Sequence, residues 1–324
     1  MKNNQLEVTK RLLNKYSLYL LLLAMIIIMS IIKPNNFPTV NNISNVLRQM
    51  ATVGIIALGM TFVIVTGGTD LSAGMLTALC SVTVSYLMIE GLFGYKFSPL
   101  VAILLAIFAG ACAGAINGVL ISYGHVPPFI GTLAVMWAAK GLALLISKGQ
   151  PITGFNDTFN FIGGGSVLNG ILSAPIMIFA ACCVIAFILL HKTRFGLQVF
   201  AIGGNENAAL VSGIRVKKIK MLTYILAGMF TSIGAIVLTS RQQAGNPTTG
   251  NGYEMDAITC AIIGGASLSG GIGSIGGTIV GVMILGIISN AMTMLQIDPY
   301  WQMVAKGVLI GSAVLFDEMK NHRK

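Results

Sequence analysis

The chain has 324 residues, 55% of them hydrophobic and 9% charged, with a mean hydropathy of +0.84 and a formal net charge of +10. A soluble domain carries about 25% charged residues, so this composition excludes an ordinary soluble protein. The basic excess is not a nucleic-acid footprint either, because the charges sit at the ends of apolar runs.

Those runs predict an all-α integral membrane protein with about ten transmembrane helices, at 16–32, 46–66, 71–90, 98–122, 128–147, 170–190, 219–240, 254–268, 272–290 and 300–316. Residues 16–316 form a single membrane domain between an N-terminal tail, 1–15, and a C-terminal tail, 317–324. The first run follows Lys10, Arg11 and Lys15 as a signal peptide would, but no small-x-small cleavage site follows it, so it reads as an anchor helix. Turn residues separate the runs: Pro34-Asn35-Asn36, Pro127-Pro128, Gly163-Gly164-Gly165 and Asn246-Pro247.

At the start of the third run stand Gly67, Gly68, Asp70 and Ser72, where a carboxylate favours the positive end of a helix. Glu254 and Asp256 repeat that arrangement at the eighth. Residues 110–121 read GACAGAINGVLI and 273–284 read GSIGGTIVGVMI, so Gly110, Gly114 and Gly118 align with Gly273, Gly277 and Gly281. Small residues four apart are the packing stripes of membrane helices. Ala139-Lys140-Gly141 likewise aligns with Ala305-Lys306-Gly307, and the halves 46–147 and 219–316 read as inverted repeats. A second self-match, GGTDLS at 67–72 with GGASLS at 264–269, does not fit that register and reads as a recurrent turn or chance. Lys140 and Lys306 fall inside predicted spans, where a charge either faces a cavity or snorkels to an interface; with Asn117 they are the candidate pathway residues.

Between the sixth and seventh runs lies a polar stretch with Gly203, Gly204, Asn205, Glu206, Ala208, Ala209 and Gly213, followed by Arg215, Lys217, Lys218 and Lys220. It reads as a short helical docking element with an acid near its start and a glycine stop. Charge orients the bundle with both termini inside. The inner segments then hold thirteen of the twenty Lys and Arg: Lys2, Lys10, Arg11, Lys15, Lys192, Arg194, Arg215, Lys217, Lys218, Lys220, Lys320, Arg323 and Lys324.

The chemistry of an enzyme is missing from the pattern. There is no phosphate-binding G-x-x-x-x-G-K-[ST] loop and no H-E-x-x-H, and His125, His191 and His322 lie far apart. Gly271-x-Gly273-x-x-Gly276 matches a dinucleotide fingerprint without the strand that should precede it. Cys80, Cys112, Cys182, Cys183 and Cys260 have no metal-ligand spacing and read as small core residues. No metal, cofactor or catalytic residue is expected.

Taken together, several segments carry a family resemblance: 59–74 (GMTFVIVTGGTDLSAG), Asn117-Gly118, 127–133 (PPFIGTL), 203–209 (GGNENAA) and 264–274 (GGASLSGGIGS). In this order, over about 45–317, the chain resembles the permease subunits of bacterial ABC importers for monosaccharides of the ribose, galactose and xylose type. Thr69 and Ala73 depart from the Ile and Val usual there. The resemblance implies a fold like that of the vitamin B12 importer permeases, in a bacterial inner membrane. It implies a second permease subunit, a cytoplasmic ABC ATPase that supplies the missing ATP chemistry, and an external sugar-binding protein. It also implies that the loop 191–218 carries a coupling helix at 203–214. The turn with Ser122, Gly124, Pro127 and Pro128 is then a candidate cytoplasmic gate. The alternatives are the same importer with a nucleoside or autoinducer-type furanosyl cargo, or a stand-alone channel or ion-coupled carrier.

Overall fold

The computed structural model describes residues 18–167 and 172–321. The tail 1–15 and residues 322–324 lie outside the described residues. In chain order the elements are α1 (Leu18–Ile32), α2 (Val40–Val65), α3 (Ala73–Ile89), α4 (Pro99–Ser122), α5 (Pro128–Ser147), β1 (Ile152–Thr153), α6 (Asp157–Gly164), β2 (Ser166–Val167) and β3 (Leu172–Ser173). They continue with α7 (Ala174–His191), α8 (Arg194–Gly204), α9 (Glu206–Val211), α10 (Val216–Gln242), β4 (Ala244–Gly245), α11 (Tyr253–Ile263), α12 (Ile275–Met294) and α13 (Pro299–Asn321).

A helix stands at each of the ten expected positions. Among the described residues, six of them, α2, α4, α5, α7, α10 and α12, are long and apolar enough to cross a membrane, while α1 and α3 are apolar but shorter. The run expected at 254–268 is helical only over 11 residues, because Gly265 at φ +90° stops it. α13 runs through Asn321, so the tail expected from residue 317 begins as helix.

Helix starts follow local chemistry. The Thr39 hydroxyl accepts the Asn42 N–H at 3.3 Å to cap α2, and Ser274 caps α12 by accepting from Gly277 at 3.0 Å. Pro occupies the first turn of α4, α5 and α7, where its missing N–H costs nothing.

Two central helices organise the bundle. α2 is buried along most of its length, and α10 packs between it and α4. The glycines of α4 make that approach possible. A methyl group at Gly110 would meet the Gly228 carbonyl and Ser232 Oγ, one at Gly114 the Tyr224 carbonyl, and one at Gly118 the Met221 backbone. On α12, methyl groups at Gly277 and Gly281 would meet the carbonyls of Gly264 and Cys260 at the end of α11; Gly273, expected on the same helical stripe, lies before the helix begins, and a methyl there would meet Val65. The second seam of α12 is polar. Asn42 and Asn290 exchange amide hydrogen bonds at 3.2 and 2.9 Å, and the hydroxyls of Thr61 and Thr278 stand 2.8 Å apart, so α12 is tied to α2.

The chain is not helical throughout. After α10, residues 243–252 form the two-residue strand β4 and a series of turns that pack on α3. β4 pairs antiparallel with β1, Ile152 opposite Gly245, and Gly245 and Gly250 lie against the α3 face that carries Thr77, Ser81 and Ser85. These hydroxyls are buried, and the Thr239 hydroxyl donates to Ser81 at 2.6 Å. Gly245, Pro247, Thr249 and Gly250 are buried against protein, the condition under which irregular backbone is tolerated in a membrane protein. Cys80, Cys182 and Cys260 are core residues, whereas Cys112 is exposed. It lies on the side of α4 opposite the glycine seam, which corrects its reading as a core residue.

Candidate functional site

One end of the bundle gathers the C-termini of α2, α4 and α7, the N-termini of α5, α10 and α12, and the whole of α8 and α9. The polar stretch there is not one helix but two. α8 is capped by Thr193, whose hydroxyl accepts the Gly196 N–H at 3.3 Å. It ends at Gly204, where Asn205 turns extended at φ −161° and its Oδ1 accepts the Ala208 N–H at 2.9 Å to start α9. Glu206 sits in the first turn of α9 and pairs with Lys220 of α10 at 2.5 Å. Gly213, at φ +83°, ends the element and lets the chain enter α10. Ala209 is buried, whereas Ala208, Leu210 and Val211 face outward; Val211 is 89% exposed. α9 is thus a six-residue helix held at both ends, with Leu210 and Val211 offered outward as apolar side chains.

The α4–α5 turn lies beside it. Gly124 and Val126 close the turn through N–H bonds to the carbonyls of Val119 and Leu120 at 3.0 and 3.1 Å, His125 adopts φ +54°, and Pro127 and Pro128 start α5. A cavity of about 410 Å³ separates this turn from α9, walled by Ser122, His125, Pro127 and Pro128 on one side and Glu206, Lys217 and Lys220 on the other. Lys217 spans it, 3.5 Å from His125 Nε2 and 5.8 Å from the Tyr123 ring centre. The candidate gate and the candidate coupling element thus share one cavity.

Behind both lies a buried polar cluster. Asp70 Oδ1 accepts the Ser72 N–H at 2.9 Å, the Ser72 hydroxyl at 2.6 Å and the Asn117 amide at 3.4 Å. Asn117 also donates to Ser72 Oγ at 2.8 Å, and the Thr132 hydroxyl accepts the Leu71 N–H at 3.1 Å. Asn117 is therefore fully buried between α3 and α4. Lys140 lies on a part-exposed face of α5 with its ammonium 5.0 Å from the Trp137 ring centre.

Lys306 has a different setting. At the opposite end of the bundle a cavity of about 620 Å³ is walled by Asn45, Arg48, Arg241, Tyr253, Asp256, Gln302 and Lys306, among others. Lys306 donates to Asp256 at 2.8 Å, and Arg241 donates to the Arg48 carbonyl at 3.0 Å. Sequence reasoning did not assign Arg48, Tyr253, Asp256 or Gln302 to a site. The available signal was that Asp256, with Glu254, and Lys306 are opposite charges inside apolar runs, and buried charges call for a partner. Among the described residues no group of three or more His, Cys, Asp or Glu is placed to hold a metal ion.

The family model described as "Branched-chain amino acid transport system / permease component" matches residues 42–313. The chain belongs to this permease family. It is 43% identical to the ribose import permease of Bacillus subtilis (strain 168), over 99% of this chain and 100% of the relative. The ribose import permease of Escherichia coli K12 is 40% identical over 96% of each chain, and the galactose/methyl galactoside import permease of Salmonella typhimurium 37% identical, again over 96% of each. No solved structure matches the chain. The alignments cover 96–100% of these relatives, and the α8–α9 segment and the α4–α5 turn lie inside the region matched by the family model.

Proposed function

We propose that this permease is the membrane-spanning subunit of an ATP-binding cassette importer for a monosaccharide, a ribose-like pentose or a related sugar. An external binding protein hands over the sugar, and a separate ATPase subunit drives its passage; no chemistry occurs on the sugar. The observation that carries the reading is the near-complete similarity to permeases named for ribose and galactose import, at 37–43% identity. The exposed, doubly pinned α9 agrees with it, as a docking point for that ATPase.

The finer architecture follows the same reading: ten crossings in a fold like that of vitamin B12 importers, two permeases per transporter, and the α9 end in the cytoplasm of a bacterial inner membrane. Lys192, Arg194, Arg215, Lys217, Lys218 and Lys220 all lie at that end, which supports the orientation. An inverted repeat is supported by the exchange between halves: α4 of the first lies on α10, and α12 of the second on α2. The pathway then leads from the cavity beside Lys306 to the α4–α5 turn, which acts as the inner gate.

The test is Glu206→Arg. It places a cation beside Lys220 and Lys217 and reverses the charge of α9 without touching the core. The variant is expected to elute as folded permease while the amount of co-purified ATPase drops about tenfold or more. ATPase retained at the wild-type level would remove α9 from the docking site.

A further inference from the structure

The two glycine turns that match in sequence but not in repeat register are brought together by the fold. Both are helix C-caps of one kind. At the end of α2, Gly67 N–H bonds the Ile64 carbonyl at 2.8 Å and Gly68 N–H the Val63 carbonyl at 3.0 Å. At the end of α11, Gly265 N–H bonds the Ile262 carbonyl at 2.8 Å and Ala266 N–H the Ala261 carbonyl at 2.9 Å. Gly67 and Gly265, at φ +75° and +90°, are the equivalent positions, so the structural register is one residue off the sequence match.

The end of α8 is clamped between the chains that leave these caps. Gly271 N–H donates to the Val65 carbonyl at 2.9 Å. A methyl group at Gly203 would overlap both the Val65 carbonyl and the Gly271 nitrogen, and one at Gly270 would stand 2.8 Å from the Gly203 carbonyl and 2.9 Å from the Gly67 nitrogen. Three backbones meet here with no side chain between them, so α8 cannot shift without moving the chain at 65–67. That chain continues into the loop 66–72, which has three further anchors. The Tyr224 hydroxyl of α10 donates to the Thr69 carbonyl at 3.3 Å, Asn117 of α4 donates to Asp70 and Ser72, and Thr132 of α5 accepts from Leu71. Asn117 and Thr132 stand five and four residues from the two helix ends that carry the α4–α5 turn.

We propose that the loop 66–72 is the transmission element of this permease: it carries displacement of the α8–α9 segment to both helices of the α4–α5 turn, with Asp70 and Thr132 as positioning residues. The proposal rests on the reading of α9 as the ATPase-docking element. A packed contact of this kind transmits motion because backbone-to-backbone packing is stiff and its buried hydrogen bonds have no water to exchange with.

Thr132→Val deletes the acceptor of the Leu71 N–H while keeping the shape, and Thr132→Ser keeps the acceptor. Each is assembled with the ATPase and sugar-binding protein in liposomes, and three quantities are read: ATPase bound per permease, ATP hydrolysis, and sugar imported per ATP. For Thr132→Val we expect binding and hydrolysis at wild-type levels and sugar per ATP reduced about tenfold, the effect of one unsatisfied buried N–H on the coupled step. Thr132→Ser is expected to restore the ratio to within about twofold. If Thr132→Val does not assemble, Tyr224→Phe removes one hydroxyl from the same loop and is expected to lower the ratio about threefold. Wild-type sugar per ATP in the assembled variants, or transport and hydrolysis falling in proportion, overturns the proposal. Absence of ATPase from the wild-type assembly instead overturns the docking reading on which it rests.

Discussion

Gly114→Leu is expected to remove folded permease from the membrane. Even a methyl group at this position would land on the Tyr224 carbonyl and stand 2.9 Å from Ile225 Cα, so four extra carbons force α4 away from α10. The seam cannot yield locally, because Gly110 and Gly118 hold the same helix pair together on either side. Overpacking a core costs about 1–3 kcal/mol where side chains can adjust; here the opposing atoms are backbone, and we expect at least the upper figure. Tyr224 also anchors the loop 66–72, so the displacement reaches the α8–α9 end of the bundle as well. Gly141→Leu on α5 is the control, since nothing stands within 4 Å of that position. Size-exclusion profiles and melting temperatures in detergent should show Gly114→Leu aggregated or absent and Gly141→Leu close to wild type. Equal yields and melting temperatures for the two would refute the backbone-contact account of the α4 glycines.

Lys306→Met is expected to destabilise the permease by about 3 kcal/mol, the lower end of the cost of breaking a buried ion pair, because the Lys306 side chain keeps 35% exposure. Asp256 keeps only 9%, so removing its partner strands a carboxylate in the wall of the cavity beside Lys306. The double variant Asp256→Asn, Lys306→Met removes both charges and should recover most of the loss, since a buried pair replaced as a pair is close to neutral. Melting of the wild type, the two single variants and the double variant measures the coupling directly. Additive losses would show that the two charges do not depend on each other. For transport the order differs. The double variant should fold, yet import poorly, if the cavity beside Lys306 is the entry to the pathway.

The residues that were legible in the sequence are those whose role is local. Apolar runs place the helices, Glu206 and Gly213 announce a short helical element with an acid near its start and a glycine stop, and the glycines of α4 and α12 repeat every four residues along one face. What escaped depends on partners far away in sequence. The segment 243–252 carries ordinary turn residues, and only the packing of Gly245 and Gly250 on the serine and threonine face of α3 shows that it lies beside that helix. The β1–β4 pair joins Ile152 to Gly245, a pairing with no local pattern. The end of α11 fell inside an apolar run, because hydropathy does not distinguish a glycine that packs from one that turns with φ +90°. The match of GGTDLS with GGASLS reads in the sequence as a recurrent turn or chance. What no periodicity could show is that Val65 and Gly271, which flank the two turns, both pack on Gly203.

On the proposed function, this permease imports a sugar only when a partner hydrolyses ATP. The most direct test is uptake of labelled ribose into liposomes that contain the permease with its ATPase, with the loaded binding protein outside. The account predicts accumulation against a gradient when ATP is enclosed, and none when ATP is replaced by a non-hydrolysable analogue. Ribose accumulation by the permease alone, driven by an ion gradient and indifferent to ATP, would contradict it.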